Sequence, residues 1–197
     1  MNKLDNLSDN YIAVGSSAMG AAVSAGIMRG RSYGGVSFLK KKTILDMSNI
    51  VSCEERFCII RFAKLLIINI YMSCHVTADR DLIINICLSD VTSCIDNFSD
   101  HKCIIASNFN CNLNVDNVFS KLFNYYICLH NLIRCDVALG GSVNYPFHNE
   151  TRDCYSTIDD MLSSDVNSLI DVNVIDSGAN LSDHLVLQLI CTNNPNV

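Results

Sequence analysis

Short apolar segments of strand length, separated by segments with helical periodicity, most constrain the fold of this chain. Residues 56–62 and 65–71 have the pattern of a hairpin whose second strand is buried. Between residues 79 and 98 the apolar side chains recur at helical spacing, which predicts a helix with one face packed on a sheet. Strands interleaved with helices predict an α/β domain built in layers.

The remaining segments extend this alternation. Apolar patterns predict a second helix over residues 118–129 and strands over residues 36–40, 103–109, 157–162, 171–175 and 184–191. Residues 132–152 are predicted to be largely loop because Gly140, Gly141 and Pro146 interrupt them. At 197 residues with 49% hydrophobic composition, the chain can bury one full core, so residues 1–197 are predicted to form a single domain.

The charge balance limits the ways in which this chain can bind a polyanion. The formal net charge is -6, so the whole chain exerts no general attraction on nucleic acid, and contact must depend on local basic groups or a bound cation. The candidate basic groups are Arg29, Arg31 and the run Lys40, Lys41 and Lys42. A solvated strand end is an equally good interpretation of the lysine run.

The cysteine pattern predicts an intracellular protein. The chain has 11 cysteines and no Cys-x-x-Cys, which argues against a zinc knuckle or a redox motif. Most lie in apolar runs, where a reduced cysteine behaves as a small hydrophobe, and the odd count fits a reducing compartment. The mildly apolar residues 11–28 follow Asp5 and Asp9, where a signal peptide requires positive charge, so secretion and membrane insertion are not expected.

Three polar motifs follow apolar strands in a fixed order. They are Ser107-Asn108-Phe109-Asn110, Ser156-Thr157-Ile158-Asp159 and Ser182-Asp183-His184. An Asp-His pair at a strand end can hold a metal and a phosphate, because the carboxylate binds a hard cation and the imidazole supplies a donor. In this order the three motifs resemble the last three active-site motifs of one phosphodiesterase family.

Together with two upstream segments, these motifs resemble the endonuclease/exonuclease/phosphatase (DNase I-like) superfamily. The upstream segments are Gly30-Arg31-Ser32-Tyr33-Gly34-Gly35-Val36 and Ile68-Asn69-Ile70-Tyr71-Met72-Ser73-Cys74. The sequence is most similar in pattern to the endonuclease domain of LINE-type (non-LTR) retrotransposon proteins, from about Asp9 to Leu189. The resemblance implies a four-layer α/β sandwich of two packed β-sheets flanked by helices, magnesium or manganese as the cofactor and DNA as the ancestral substrate.

The resemblance also implies a role for each residue of the site. Tyr71 and Arg31 would contact the substrate, and Asn110 would help to hold the attacking water. Asp159 would orient His184, which would contact the phosphate, and Asp183 would lie beside the metal. Asn108 occupies the position of the catalytic Asp of the Gly-Asp-Phe-Asn motif.

Two departures from the family pattern predict a weak or inactive enzyme. Asn108 cannot accept a proton at neutral pH, which removes a general base that contributes roughly 10²- to 10⁴-fold in rate. The family's opening strands and their metal-binding Glu have no counterpart before Met1, so the domain is interpreted as lacking N-terminal strands and as binding magnesium weakly, if at all. The alternatives are a non-catalytic remnant that binds nucleic acid or protein, and a small-molecule phosphatase of the same superfamily.

Each site residue also has a purely structural interpretation. Asp159 and His184 can form a structural hydrogen-bonded pair, Tyr71 can be a core tyrosine, and Asn108 and Asn110 can form a turn after a strand.

The cysteine pattern generates a prediction about thiol content. Thiol titration of the isolated protein under denaturing, non-reducing conditions should find close to all 11 cysteines free, because buried strand and helix cysteines rarely have the separation of about 5.5 Å between Cα atoms that a disulfide needs. A protein with most of its thiols protected would contradict both this prediction and the intracellular assignment.

Overall fold

A computed structural model describes residues 9–17, 35–72, 79–140, 146–149, 154–175 and 183–192. The chain divides into two compact units, Met1–His101 and Lys102–Val197. Arg31, which the sequence predicts to contact the substrate, lies outside the described residues.

The described part of the first unit contains five strands and one long helix. The strands are β1 (Tyr11–Ser16), β2 (Val36–Lys41), β3 (Ser48–Cys53), β4 (Phe57–Phe62) and β5 (Leu65–Tyr71), and the helix is α1 (Arg80–Asp96). Strand β1 pairs antiparallel with β2, while β3, β4 and β5 form an antiparallel meander. A short 3₁₀ segment, Lys42–Met47, joins β2 to β3.

The core of the first unit follows from the apolar pattern of these elements. The first four residues of β4 are all buried, and β5 alternates, with Leu66, Ile68 and Ile70 at most 1% exposed. Helix α1 buries one face that includes Ile84, Leu88 and Val91, which recur at the spacing of successive turns.

The second unit has a three-stranded antiparallel arrangement with β10 in the middle. Its elements are β6 (Lys102–Asn108), α2 (Val118–Leu129), β7 (Ile133–Arg134), α3 (Cys135–Ala138), β8 (Phe147–Asn149), β9 (Cys154–Ser156), β10 (Asp159–Ser163), β11 (Leu169–Ile175) and β12 (Val186–Cys191). Strand β10 pairs with both β6 and β7, and two further antiparallel pairs join β8 to β9 and β11 to β12.

Helix α2 begins where a capping box satisfies its first backbone donors. The Asn117 side chain accepts hydrogen bonds from the backbone N–H groups of Phe119 and Ser120, and the Ser120 hydroxyl accepts from the Asn117 N–H. The helix then buries Phe123, whose ring stacks on Phe109 with centroids 4.3 Å apart. The residue that follows Asn108 is therefore anchored in the core of this unit.

The structure confirms most of the predicted elements and corrects others. Helix α2 has the predicted bounds, and α1 is shorter than predicted by one residue at its start and two at its end. The prediction that residues 132–152 are largely loop is wrong for the segments that form β7, α3 and β8. These elements are two to four residues long, too short to produce a periodic pattern.

The lysine run does not form a continuous basic surface. Lys40 is only 6% exposed and donates a hydrogen bond to the Ser48 hydroxyl at 3.1 Å, whereas Lys41 and Lys42 are exposed. Because Lys40 points into the protein, two exposed charges rather than three remain available to a polyanion. In the described residues, no helix has the length and apolarity to span a bilayer.

Asp160 places a carboxyl group in the core of the second unit. It is 4% exposed, and its Oδ1 lies 3.2 Å from the Arg134 Nε atom. Burial raises the pKa of Asp160 to about 7, the Arg134 charge opposes this rise, and the charges of Asp136 and Asp159 add to it. At neutral pH this buried acid destabilises the folded state.

The buried carboxyl generates a prediction about stability and pH. Between the ordinary pKa of 3.8 and about 7, folded Asp160 holds a proton that the unfolded chain has released, so stability falls as pH rises across this window. The loss is on the order of 4 kcal/mol. Asp160→Asn should remove this part of the decrease in the free energy of unfolding, measured by urea unfolding from pH 4 to pH 8. Asp171→Asn, a control at an exposed strand position, should leave the decrease unchanged. If the free energy of unfolding of Asp160→Asn falls with pH as steeply as that of the wild type, the raised pKa of Asp160 is contradicted.

Candidate active site

The antiparallel pairing of β6 with β10 places Asn108 directly opposite Asp159. Strand β6 ends at Asn108 and β10 begins at Asp159, so both side chains lie at the same end of the pair. Residues directly opposite each other in an antiparallel pair project from the same face. Two of the predicted motifs therefore meet at one edge of the sheet, although 50 residues separate them in the sequence.

His184 joins this edge through a hydrogen bond to Asp159. The distance between His184 Nδ1 and Asp159 Oδ2 is 2.6 Å, and the side chains are 31% and 15% exposed. A short bond in a half-buried setting fixes the imidazole ring, because rotation would leave the carboxylate without this donor. The predicted contact between these two residues is confirmed.

The backbone around His184 is held by a segment for which the sequence predicts a loop. The His148 N–H donates to the Asp183 carbonyl at 2.9 Å, and the Leu185 N–H donates to the Pro146 carbonyl at 2.6 Å. The Phe147 ring contacts the edge of the imidazole, with ring centroids 5.0 Å apart. Strand β8 thus positions His184, although the sequence analysis interpreted Pro146 only as a residue that interrupts a loop.

The surroundings of His184 favour its charged form. The hydrogen bond to Asp159 raises the pKa of His184, burial opposes this rise, and the negative charges of Asp159 and Asp183 add to it. An imidazolium donates from both ring nitrogens. With Nδ1 directed at Asp159, the Nε2–H is the donor that a phosphate oxygen can use.

Asn108 and Asn110 form a tight turn immediately after β6. The Asn108 side-chain oxygen accepts a hydrogen bond from the Asn110 N–H at 2.9 Å, and Asn110 has a left-handed φ of 49°. Asparagine tolerates this conformation better than most residues and often closes such turns. The structural interpretation of Asn108 as a turn former is therefore confirmed, and a carboxylate at this position would accept the same hydrogen bond.

The oxygen donors at this edge do not suit a tightly held magnesium ion. Asn108 supplies a neutral amide oxygen that already accepts a hydrogen bond, and Asp159 is paired with His184. Among the described residues at this edge, Asp183 is the exposed carboxylate that remains. Across the described ranges, no three His, Cys, Asp or Glu side chains form a group that could hold a metal. Hard divalent cations favour several charged oxygen ligands, which this set lacks.

The structure brings together four of the predicted site residues and describes a fifth beside them. Asn108, Asp159, Asp183 and His184 lie at one edge of the second unit, with Asn110 in the turn next to Asn108. Tyr71 is the last residue of β5 in the first unit, where its N–H donates to the Arg56 carbonyl at 2.8 Å. The sequence interpretation had no signal for Phe147, which packs on His184.

No protein-family model and no curated protein sequence matches this chain. Solved structures do match. A 3′ phosphatase, NExo, from Neisseria bound to product DNA hairpin superposes with a TM-score of 0.67 at 16% identity, covering 93% of this chain and 80% of that one. A 3′-5′ exonuclease, NExo, from Neisseria meningitidis gives 0.66 at 16% identity, covering 92% and 80%. An AP endonuclease from Archaeoglobus fulgidus gives 0.64 at 12% identity, covering 92% and 79%.

These neighbours share the DNase I-like fold of endonucleases, exonucleases and phosphatases. At such low identities the likeness concerns the fold. It agrees with the fold class predicted from the sequence motifs. The chain therefore has an α/β DNase I-like fold.

Proposed function

We propose that this chain is a phosphodiesterase-type domain of the DNA endonuclease kind, with weak or no remaining hydrolytic activity. The observation that carries the proposal is the 2.6 Å hydrogen bond between His184 and Asp159 at the strand edge that also bears Asn108. The DNase I-like fold supports the proposal, since DNA-processing enzymes adopt it.

In this proposal the His184–Asp159 pair binds the substrate phosphate. Asp159 holds the imidazole ring by Nδ1 and stabilises its charged form, and the charged ring donates from Nε2–H to a phosphate oxygen. Phe147 packs against the ring and limits its rotation. Tyr71 and Arg31 are proposed as further substrate contacts on the basis of the sequence resemblance alone.

Asn108 limits the chemistry of this site. A carboxylate here could accept a proton from an attacking water, whereas the amide cannot. The described oxygen ligands also suit a divalent cation poorly, which lowers the expected activity further. Magnesium or manganese would bind weakly, with Asp183 as its main protein ligand, and we therefore propose residual cleavage at most.

On the sequence resemblance alone, we also propose a LINE-type retrotransposon origin for the domain.

A non-catalytic remnant that binds nucleic acid is the second candidate function. The engagement of Asn108 in a backbone turn favours this candidate, since the residue has a structural role that persists without catalysis. Both candidates share DNA as the partner, and they differ in whether a phosphodiester bond is cut.

The proposed limitation at Asn108 can be tested by restoring a carboxylate. Asn108→Asp should keep the turn and raise the rate of supercoiled plasmid nicking in magnesium, measured on agarose gels. The gain should fall short of the roughly 10²- to 10⁴-fold that a general base contributes, because the cation ligands remain incomplete. His184→Ala in the Asn108→Asp background should abolish the gain.

Asn131→Asp is the matched control, because it adds the same charge to the same unit at an exposed residue. It should leave nicking unchanged. Nicking by the unmodified chain that His184→Ala does not lower would refute the proposed site. If Asn108→Asp binds DNA without any nicking, the non-catalytic candidate is the correct one.

The electrostatics of the pair predict a high pKa for His184. An NMR titration of the His184 ring should have its midpoint above 6.5, and Asp159→Asn should lower it, because the amide lacks the carboxylate charge that stabilises the imidazolium. Because the folded pKa is raised, the stabilisation by this pair is fully present below the unfolded pKa and is lost as pH rises through the folded pKa. Asp116→Asn, at an exposed position, should not shift the midpoint. A wild-type midpoint below 6.5 would be inconsistent with this geometry.

A further inference from the structure

Two cysteines face each other across the hairpin of β3 and β4. Cys53 is the last residue of β3, and its direct partner in the antiparallel register is Cys58 of β4. Directly opposite residues project from the same face of the pair, so the two side chains are neighbours. The Cys53 thiol is close enough to raise the pKa of Cys58.

The hydrogen bonds of the turn show whether Cys53 and Cys58 are a hydrogen-bonded or a non-hydrogen-bonded pair of the ladder. The Glu54 N–H donates to the Phe57 carbonyl at 2.8 Å, so Glu54 and Phe57 form the hydrogen-bonded pair next to the turn. Pairs alternate along an antiparallel ladder, which makes Cys53 and Cys58 a non-hydrogen-bonded pair with Cα atoms about 4.5 Å apart. Disulfides span Cα separations of about 4.4 to 6.8 Å, so this pair lies at the short end of the permitted range.

The two thiols differ in their access to solvent. Cys53 is half-buried, whereas Cys58 is 0% exposed in the core of the first unit. Burial and the neighbouring Cys53 thiol raise the pKa of Cys58 to about 12, and the charge of Lys40 acts in the opposite direction. An oxidant in solution therefore reaches Cys53 first, and Cys58 can react only with a group that is brought to it.

We propose that Cys53 and Cys58 form a reversible cross-strand disulfide when the protein meets a low-molecular-weight disulfide such as oxidised glutathione. Both thiols are free in the structure, and the β3–β4 register sets the two residues directly opposite each other. A bridge at the short end of the permitted Cα range is strained, and strained disulfides are the more easily reduced ones.

The reaction balances as two thiol–disulfide exchanges. The Cys53 thiolate attacks one sulfur of oxidised glutathione, forms a mixed disulfide and releases one glutathione thiol. The Cys58 sulfur, having lost its proton to solvent, then attacks the Cys53 sulfur, forms the Cys53–Cys58 bond and releases the second glutathione thiol. The two protein thiols are oxidised by two electrons, and one glutathione disulfide is reduced. Proximity favours the second exchange despite the high pKa of Cys58.

The bridge would tie the ends of the turn that contains Glu54, Glu55 and Arg56. These three residues line a cavity of about 760 Å³, whose opposite side includes Ile83 and Cys87 of α1. Oxidation would thus fix one wall of this cavity.

Peptide mapping can test the proposal directly, because trypsin cleaves after Arg56, between the two cysteines. The wild-type chain is incubated with oxidised glutathione, its free thiols are blocked, and it is digested without reduction. Peptide 43–56 contains Cys53 as its only cysteine, and peptide 57–61 contains only Cys58. We expect these peptides to be joined as the main cross-linked product, to separate with dithiothreitol, and the free thiol count to fall by two from 11.

Two variants complete the experiment. Cys53→Ser should abolish the cross-link and leave all ten remaining thiols free. Cys128→Ser, a control at an exposed cysteine, should leave the cross-link intact. Glutathione that remains attached to Cys53 after prolonged incubation, without the joined peptides, would overturn the proposal. A cross-link from peptide 43–56 to any cysteine other than Cys58 would also overturn it.

Discussion

The candidate site depends on the antiparallel register between β6 and β10, which sets Asn108 opposite Asp159. A shift of β10 by one residue would turn Asp159 to the other face and would expose Leu162, which is fully buried in the present register. Burial of the β10 core residues therefore protects the geometry of the polar edge. The positions of the site residues therefore depend on burial of the hydrophobic face of the sheet.

The two adjacent aspartates of β10 show how one strand serves two purposes. Asp159 lies on the polar edge and forms its hydrogen bond with His184, while Asp160 points into the core beside Arg134. Because successive residues of a strand face opposite sides, a carboxylate following Asp159 had to be buried. One face of β10 thus orients His184 through Asp159, and the other face buries Asp160, whose pKa is raised to about 7.

The cysteines illustrate the same dependence on register. From the sequence, Cys58 is one of many cysteines in apolar runs, and its partner is five residues earlier, beyond a charged turn. Only the pairing of β3 with β4 makes Cys53 and Cys58 direct neighbours, which the general expectation of well-separated cysteines did not include. The distinction matters because a thiol packed against a second thiol has chemistry that an isolated buried thiol lacks.

The sequence by itself determined the α/β class and the bounds of α2, because long periodic segments carry that information locally. The family resemblance predicted the pairing of Asp159 with His184. The sequence did not determine β7, α3 or β8, nor the role of Phe147 and the Pro146 carbonyl in holding the His184 segment. Those features are short and arise from backbone hydrogen bonds between residues far apart in the chain. The tertiary structure alone decided them, since a two- or three-residue strand is stable only when its partner is already in place.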